Sequence, residues 1–369
     1  MNKNVLITTS PYTTLLYFLV NDLKDIQDTA YFFVRGRKWT EQEVNRTKNV
    51  LPQSYFLNEK PITARFRRYA LLQRLYTAAQ LATNRAVPCL LLRAAKNFRW
   101  PFLKTAQIFC YDDHSTAKAL IGKREYTFLE EGLFTYENAD TYAYSKSFTL
   151  KLQRFLDAPF SVRGLGTSPQ AVRIILTGLA EIPKCYNGRN LEVVSMPELW
   201  SKSEPQKKSI IMKFFDLTPD DIAALKQKDI IVVEQPLADD GLITRDEQTE
   251  MMRRIIQRYG ASRVLLKTHY RSSINYRELF PDVLVWDKMT PMELLSLCGV
   301  RFSEAVTVNS TAALSFPEDV KIVWLGRSPE DSCFSHFGAA SRRLFDAFVN
   351  RIPLPDRVKA QDEKEHSEC

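Results

Sequence analysis

The chain has 369 residues, 45% of them hydrophobic and 25% charged, with a net charge of +8. One hydrophobic core rarely serves so long a chain, so two domains are expected, and the balanced composition excludes wholesale disorder. The positive charge favours anionic partners: nucleotide phosphates, acidic glycans, nucleic acid or an anionic membrane surface.

The six cysteines, Cys89, Cys110, Cys185, Cys298, Cys333 and Cys369, form no C-x-x-C pair. None has zinc spacing, and several sit in apolar runs, so they read as thiols of a reducing compartment. The first residues do not have the plan of a signal peptide. No run of 18 apolar residues is present, so a cytoplasmic protein is expected.

Short apolar runs alternate with helical patterns, the signature of parallel βαβ units. Val5–Thr9 reads as a buried strand, and Ser10-Pro11 opens a helix with its apolar stripe at Leu15, Leu16, Leu19 and Leu23. Strands are predicted at Ala30–Val34, Val87–Leu92, Ala106–Tyr111 and Tyr126–Leu129, with a long helix over Ile62–Thr83. The stretch from about Leu150 to Gln206 mixes Pro, Gly and short apolar runs and has no clear period. Beyond it come a helix start at Thr218-Pro219-Asp220, a strand at Ile230–Glu234 and an amphipathic helix at Arg245–Tyr259 ended by Gly260. Further strands are predicted at Val264–Lys267, Val283–Trp286, Ala305–Val308 and Val320–Leu325. Helices are predicted at Pro291–Leu297, from Asn309-Ser310-Thr311 onward, and at Ser335–Phe348.

Two such halves predict an α/β protein with two Rossmann-like domains. The expected boundaries are 1–210, 211–352 and a charged, disordered tail over 353–369. Ligands of open α/β sheets bind beyond the carboxyl ends of the strands, so loops that follow strands are the ones to read.

Four loops stand out. Glu130-Glu131-Gly132 follows Tyr126–Leu129. Adjacent carboxylates repel, which can raise one of them toward a general base, and the Gly permits a tight turn. Asp239-Asp240-Gly241 follows Ile230–Glu234, and the same argument applies. Taken singly, both also fit plain acidic turns. Lys267-Thr268-His269-Tyr270-Arg271 puts one of only four histidines between two cations at a strand end. Lys267 and Arg271 can hold phosphate there, and His269 can donate to a leaving group. Asn309, Ser310 and Thr311 precede two alanines at a strand-to-helix turn, where backbone N–H groups can meet a phosphate or merely cap a helix. Tyr111-Asp112-Asp113-His114 reads as a turn rather than a metal cage. Arg65, Arg67, Arg68 and Arg74 read as a solvated helical face. No P-loop, G-x-G-x-x-G or H-E-x-x-H occurs.

In this order, Thr8-Thr9-Ser10-Pro11-Tyr12, Glu130-Glu131-Gly132, Gln235-Pro236-Leu237-Ala238-Asp239-Asp240-Gly241, Lys267-Thr268-His269-Tyr270-Arg271 and Ser310-Thr311-Ala312 resemble motifs of bacterial sialyltransferases. The resemblance is to glycosyltransferase family 52, the lipooligosaccharide sialyltransferases, with capsular polysialyltransferases as relatives. It implies a GT-B fold with two domains facing a cleft. The implied reaction is inverting, metal-independent transfer from CMP-sialic acid to a terminal galactose of a surface glycan. No cofactor and no metal site is implied.

By the same resemblance one carboxylate is the base. Glu130-Glu131 and Asp239-Asp240 both qualify, with preference for the first because it lies in the domain opposite the donor loops. His269 stabilises the departing CMP phosphate, Ser310 and Thr311 bind it, and Thr9, Ser10 and Tyr12 belong to the substrate side. His269 is followed by Tyr270 where those families carry Pro. The expected partners are a nucleotide sugar, a glycan or glycolipid acceptor, the inner membrane surface as a peripheral contact, and a second copy of the chain. The alternatives are a hexosyl donor on the same fold or a nucleic-acid-binding protein, although no interleaved basic and aromatic stripe supports the latter.

Overall fold

The computed structural model describes residues 3–35, 40–58, 100–144, 162–269, 271–308, 310, 312–313, 316–317, 319–325 and 358–361. The predicted helix Ile62–Thr83 with its four arginines, the strand Val87–Leu92, the helix Ser335–Phe348, and Tyr270, Asn309 and Thr311 lie outside the described residues. The chain divides into two compact units, Met1–Phe214 and Phe215–Cys369.

The first unit is built on a parallel sheet of seven described strands: β1 (Asn4–Thr8), β2 (Thr29–Arg35), β3 (Ser54–Asn58), β4 (Gln107–Cys110), β5 (Tyr126–Leu129), β6 (Ala171–Leu176) and β7 (Leu191–Val193). Their spatial order is β3-β2-β1-β4-β5-β6-β7. All five residues of β1 are buried, as are all four of β5. Strands covered on both faces need such continuous apolar runs. The order reverses between β1 and β4, whose residues Asn4 to Ile7 pair with Gln107 to Cys110. That reversal is the switch point where doubly wound sheets hold ligands.

The helix Pro11–Val20 starts as the sequence predicts. The Ser10 hydroxyl accepts from the Thr13 N–H at 3.2 Å and Pro11 occupies the first turn. Thr13 to Leu19 are all buried, so the helix is covered all round; it ends at Val20, and Leu23, expected on its stripe, begins the next helix, Leu23–Gln27. Tyr17 meets Phe109 edge-on at 5.0 Å between ring centroids, and Phe18 meets Phe214 at 5.2 Å. Sequence reading found no order between Leu150 and Gln206. Among the described residues this stretch supplies β6, β7 and the helix Met196–Lys202.

The second unit has a five-stranded parallel sheet of β8 (Ile230–Val233), β9 (Val264–Lys267), β10 (Leu284–Trp286), β11 (Glu304–Thr307) and β12 (Lys321–Trp324), in the order β10-β9-β8-β11-β12. Here too the order reverses, at β8 and β11. The helix Arg245–Tyr259 opens with a capping box of Thr244 and Glu247. It buries Met251, Met252, Ile255 and Ile256 against the sheet. Truncating one such buried side chain to Ala costs about 2–5 kcal/mol.

Four residues of the charged tail are described. Residues 358–361 form a helical turn, Val358 is fully buried, and the Gln361 side chain accepts from the Ile322 N–H at 3.1 Å. Charge alone marks the tail as solvated, whereas here one apolar side chain is buried and one amide meets the start of β12.

Candidate functional site

In the first unit four neighbouring strands, β1, β4, β5 and β6, bring their C-terminal loops to one edge. β1 presents Thr9 and Ser10, β4 presents Asp112-Asp113-His114, β5 presents Glu130-Glu131-Gly132, and β6 ends at Thr177. Gly132 has φ 71°, and a Cβ there would meet nothing within 4 Å. The left-handed backbone, rather than crowding, calls for glycine at this position.

The two adjacent glutamates have different environments. Glu130 is fully buried. Its Oε1 accepts from the Tyr12 hydroxyl at 2.5 Å and from the Thr177 hydroxyl. Its Oε2 accepts from the Tyr136 hydroxyl at 2.6 Å and the Thr177 N–H at 3.0 Å. Burial pushes this carboxyl above its ordinary value against the pull of those hydrogen bonds. With two donors on each oxygen, Glu130 serves to tie the loops together.

Glu131 is partly exposed. Its Oε1 accepts from the Thr9 hydroxyl at a long 3.5 Å, and its N–H donates to the Thr135 hydroxyl at 3.1 Å. Burial, with a smaller contribution from the negative charge of Asp113, pushes its carboxyl up to about 7, while the Ser10 and Thr9 hydroxyls act in the opposite sense. A carboxylate poised near neutrality can take a proton from a hydroxyl and hold it.

Asp113 was not legible as part of this site. Sequence reading treats Tyr111-Asp112-Asp113-His114 as a turn, and locally it is one. The His114 side chain accepts from the Thr116 N–H at 3.4 Å to cap a helix. Buried Asp112 accepts from Tyr126 at 2.5 Å and from the Gly166 N–H at 3.0 Å. The signal that could have included Asp113 is its position just beyond β4, beside the switch point.

In the second unit the loops after β8 and β9 are bound to each other. Arg271 donates to both oxygens of Asp240, at 2.5 and 3.2 Å. Asp239 accepts from the Ser273 N–H at 3.0 Å. The acidic loop read as a possible base and the cation read as a phosphate ligand therefore neutralise one another. Gly241 has φ 74°, which turns the acidic loop back on itself. Lys267, also read as a phosphate ligand, directs its ammonium to the Lys288 carbonyl at 2.8 Å, and burial pushes it down to about 8.

The His269 Nδ1 accepts from the Arg271 N–H at 3.2 Å. In the neutral ring this leaves the proton on Nε2. Burial first, then the Arg271 charge, pushes the imidazole down to about 4, so it is neutral near pH 7. Its own N–H donates to Glu234 Oε2 at 2.8 Å. Ser310 is buried after β11, and its N–H donates to the Thr307 hydroxyl at 2.9 Å. That N–H, expected to be available to a phosphate, is engaged within the turn. Asn309 and Thr311, on either side of it, lie outside the described residues.

Glu234 escaped the sequence reading because it looks like the last residue of a β-branched strand. An ionisable residue closing a fully buried parallel strand, at the sheet edge where ligands bind, was the available signal. Among the described residues no group of three His, Cys, Asp or Glu side chains is placed to hold a metal ion, and no helix is long and apolar enough to cross a membrane.

Two parallel sheets, with their candidate residues at the carboxyl ends of the strands, define a fold of the GT-B type. The sequence pattern of glycosyltransferase family 52 matches residues 96–325, more than half of the chain, and the chain belongs to that family. An uncharacterized protein of Haemophilus influenzae is 29% identical over 236 residues, covering 64% of this chain and 73% of the relative. Among solved structures, the 2,6-sialyltransferase of Photobacterium sp. JT-ISH-224, in a ternary complex with CMP and lactose, has a TM-score of 0.53 at 10% identity. That match covers 94% of this chain and 76% of the other. An alpha/beta-galactoside alpha-2,3-sialyltransferase from Photobacterium phosphoreum has a TM-score of 0.46 at 10% identity over 94% and 95% of the two chains.

Proposed function

We propose that this glycosyltransferase moves sialic acid from CMP-sialic acid to a terminal galactose of a surface glycan, inverting the anomeric centre and using no metal. The observation that carries the reading is the family 52 match over residues 96–325, which takes in both Glu131 of the first unit and His269 of the second. One is a carboxyl pushed up to about 7, and the other is a neutral imidazole with its proton on Nε2. Inverting transfer needs a base at the acceptor hydroxyl and a hydrogen-bond donor at the departing phosphate.

In this reading ionised Glu131 removes the proton from the acceptor hydroxyl as its oxygen bonds to the anomeric carbon. The bond from that carbon to the CMP phosphate oxygen breaks, and CMP leaves with the electron pair. His269 Nε2–H donates a hydrogen bond to the phosphate; a ring with so low a pKa is a better donor of a hydrogen bond than a reservoir of a proton. Glu130, saturated by its four donors, ties Tyr12, Tyr136 and Thr177 to the start of the loop that carries Glu131. The Asp239-Asp240 loop braces the His269 loop. The CMP and lactose bound to the Photobacterium enzyme are that protein's ligands, and they support the same donor and acceptor classes here. The positive charge of the chain suits a cytoplasmic enzyme working at an anionic membrane that carries its glycolipid acceptor.

A thermal-shift screen against CMP, UDP, GDP and ADP tests the donor. A nucleotide at 100 times its dissociation constant adds about 2.7 kcal/mol of stability. The expected result is a shift with CMP alone. A shift with UDP or GDP and none with CMP would replace sialic acid by a hexosyl donor.

A further inference from the structure

Glu234 lies immediately after the central strand β8, between the strands that carry the His269 and Ser310 loops. It is fully buried. Its Oε2 accepts the backbone N–H of His269 at 2.8 Å. Its Oε1 accepts the Ser272 hydroxyl at 2.7 Å and the Gln248 side-chain N–H at 2.8 Å. Gln248 is itself fully buried and reaches the Tyr276 hydroxyl at 3.0 Å and the Gln235 carbonyl at 3.1 Å. One carboxylate thus holds both ends of the turn from His269 to Ser272, which the Ser272 N–H closes on the His269 carbonyl at 2.9 Å.

A buried carboxyl is costly unless its lone pairs are used, and here donors on both oxygens oppose the upward push of burial. The fold retains it where an apolar residue would continue the strand Ile-Ile-Val-Val. Unlike the neighbouring Asp239 and Asp240, which grip the exposed far side of the loop, Glu234 bonds directly to the main chain of the histidine.

We infer that Glu234 is a positioning residue: it fixes the backbone of His269 so that the ring keeps Nδ1 on the Arg271 N–H and presents Nε2–H. This rests on the reading of His269 as the phosphate's hydrogen-bond donor. Arg271, Asp240, Lys267 and Asp239 act on the charge of the ring, and Glu234 accepts the backbone N–H beside it.

Glu234→Gln keeps the shape but turns one acceptor into an amide donor against N–H and O–H partners. The expected result is a fall in kcat of about 100-fold, the scale of a small misplacement of a catalytic group, with nucleotide affinity weakened in the same direction as in His269→Ala. In ¹⁵N spectra of the full chain, which has four histidines, His269 should lose its single Nε2–H tautomer. Ser272→Ala, which removes one donor and leaves the carboxylate, should shift both readings the same way by a smaller amount, and it serves if Glu234→Gln fails to fold.

Wild-type kcat in a folded Glu234→Gln protein overturns the inference. So does a reduced kcat with an unchanged His269 tautomer, which marks a merely structural role. If Glu234→Gln fails to fold, wild-type kcat and tautomer in Ser272→Ala overturn it as well. His269→Ala is run in parallel. If it retains full turnover, the phosphate reading fails, and the tautomer spectra still decide whether Glu234 sets the ring.

Discussion

Arg271 closes on both carboxylate oxygens of Asp240, joining the loop that follows β9 to the loop that follows β8. The pair is partly exposed, with side-chain exposures of 45% and 30%. A double-mutant cycle on Arg271→Ala and Asp240→Asn should therefore give a coupling of only about 0.2–1 kcal/mol that weakens with salt. Asp240→Asn should leave most of the turnover intact. A loss as large as that from removing Glu131 would move the base to this loop.

Glu131→Gln should lower kcat by about 10²–10⁴-fold, the usual cost of losing a general base. Nucleotide binding, followed by thermal shift, should stay near wild type. A retained kcat would reject Glu131 as the base, since Glu130 beside it already has both oxygens occupied.

Only ionised Glu131 accepts a proton, so kcat/KM should rise with pH through about 7 and then level off. His269, held at about 4, is neutral throughout that window and adds no step. A profile that falls across the same range would mean that a protonated imidazole is required.

The same carboxyl predicts a change in stability. Its folded value, about 7, lies above the ordinary 4.5. The protonated form is the one the fold favours, so its contribution is full below about pH 4.5 and lost as pH rises through about 7. Glu131→Gln is free of that loss. Its melting temperature should match wild type in acid and exceed it above neutrality, as scanning calorimetry at several pH values would detect.

His269→Ala should weaken turnover and nucleotide affinity together, because a hydrogen bond to the phosphate exists before the reaction as well as during it. A loss in kcat alone would confine the contact to the transition state.

Activity should persist in EDTA and gain nothing from Mg²⁺ or Mn²⁺. The proposed charge stabilisation comes from the imidazole and the turn around it. Loss in EDTA restored by either ion would require ligands that this reading does not contain.

The apolar runs at Ile230–Val233 and Val264–Leu266 and the helix start at Ser10-Pro11 were legible along the chain, because backbone preference and burial act locally. So was the position of Glu130-Glu131 and His269 at strand ends. What each acidic residue does was decided by tertiary structure. Glu130 and Glu131 are adjacent in sequence, yet one collects Tyr12, Tyr136 and Thr177 from three other segments while the other stays partly open. Asp240 is spent on Arg271, 31 residues away in sequence. Glu234 reads as the end of a strand until β9 lays the His269 N–H against it. A carboxylate's role follows from which donors surround it and how much water it keeps, and both depend on chain segments distant in sequence.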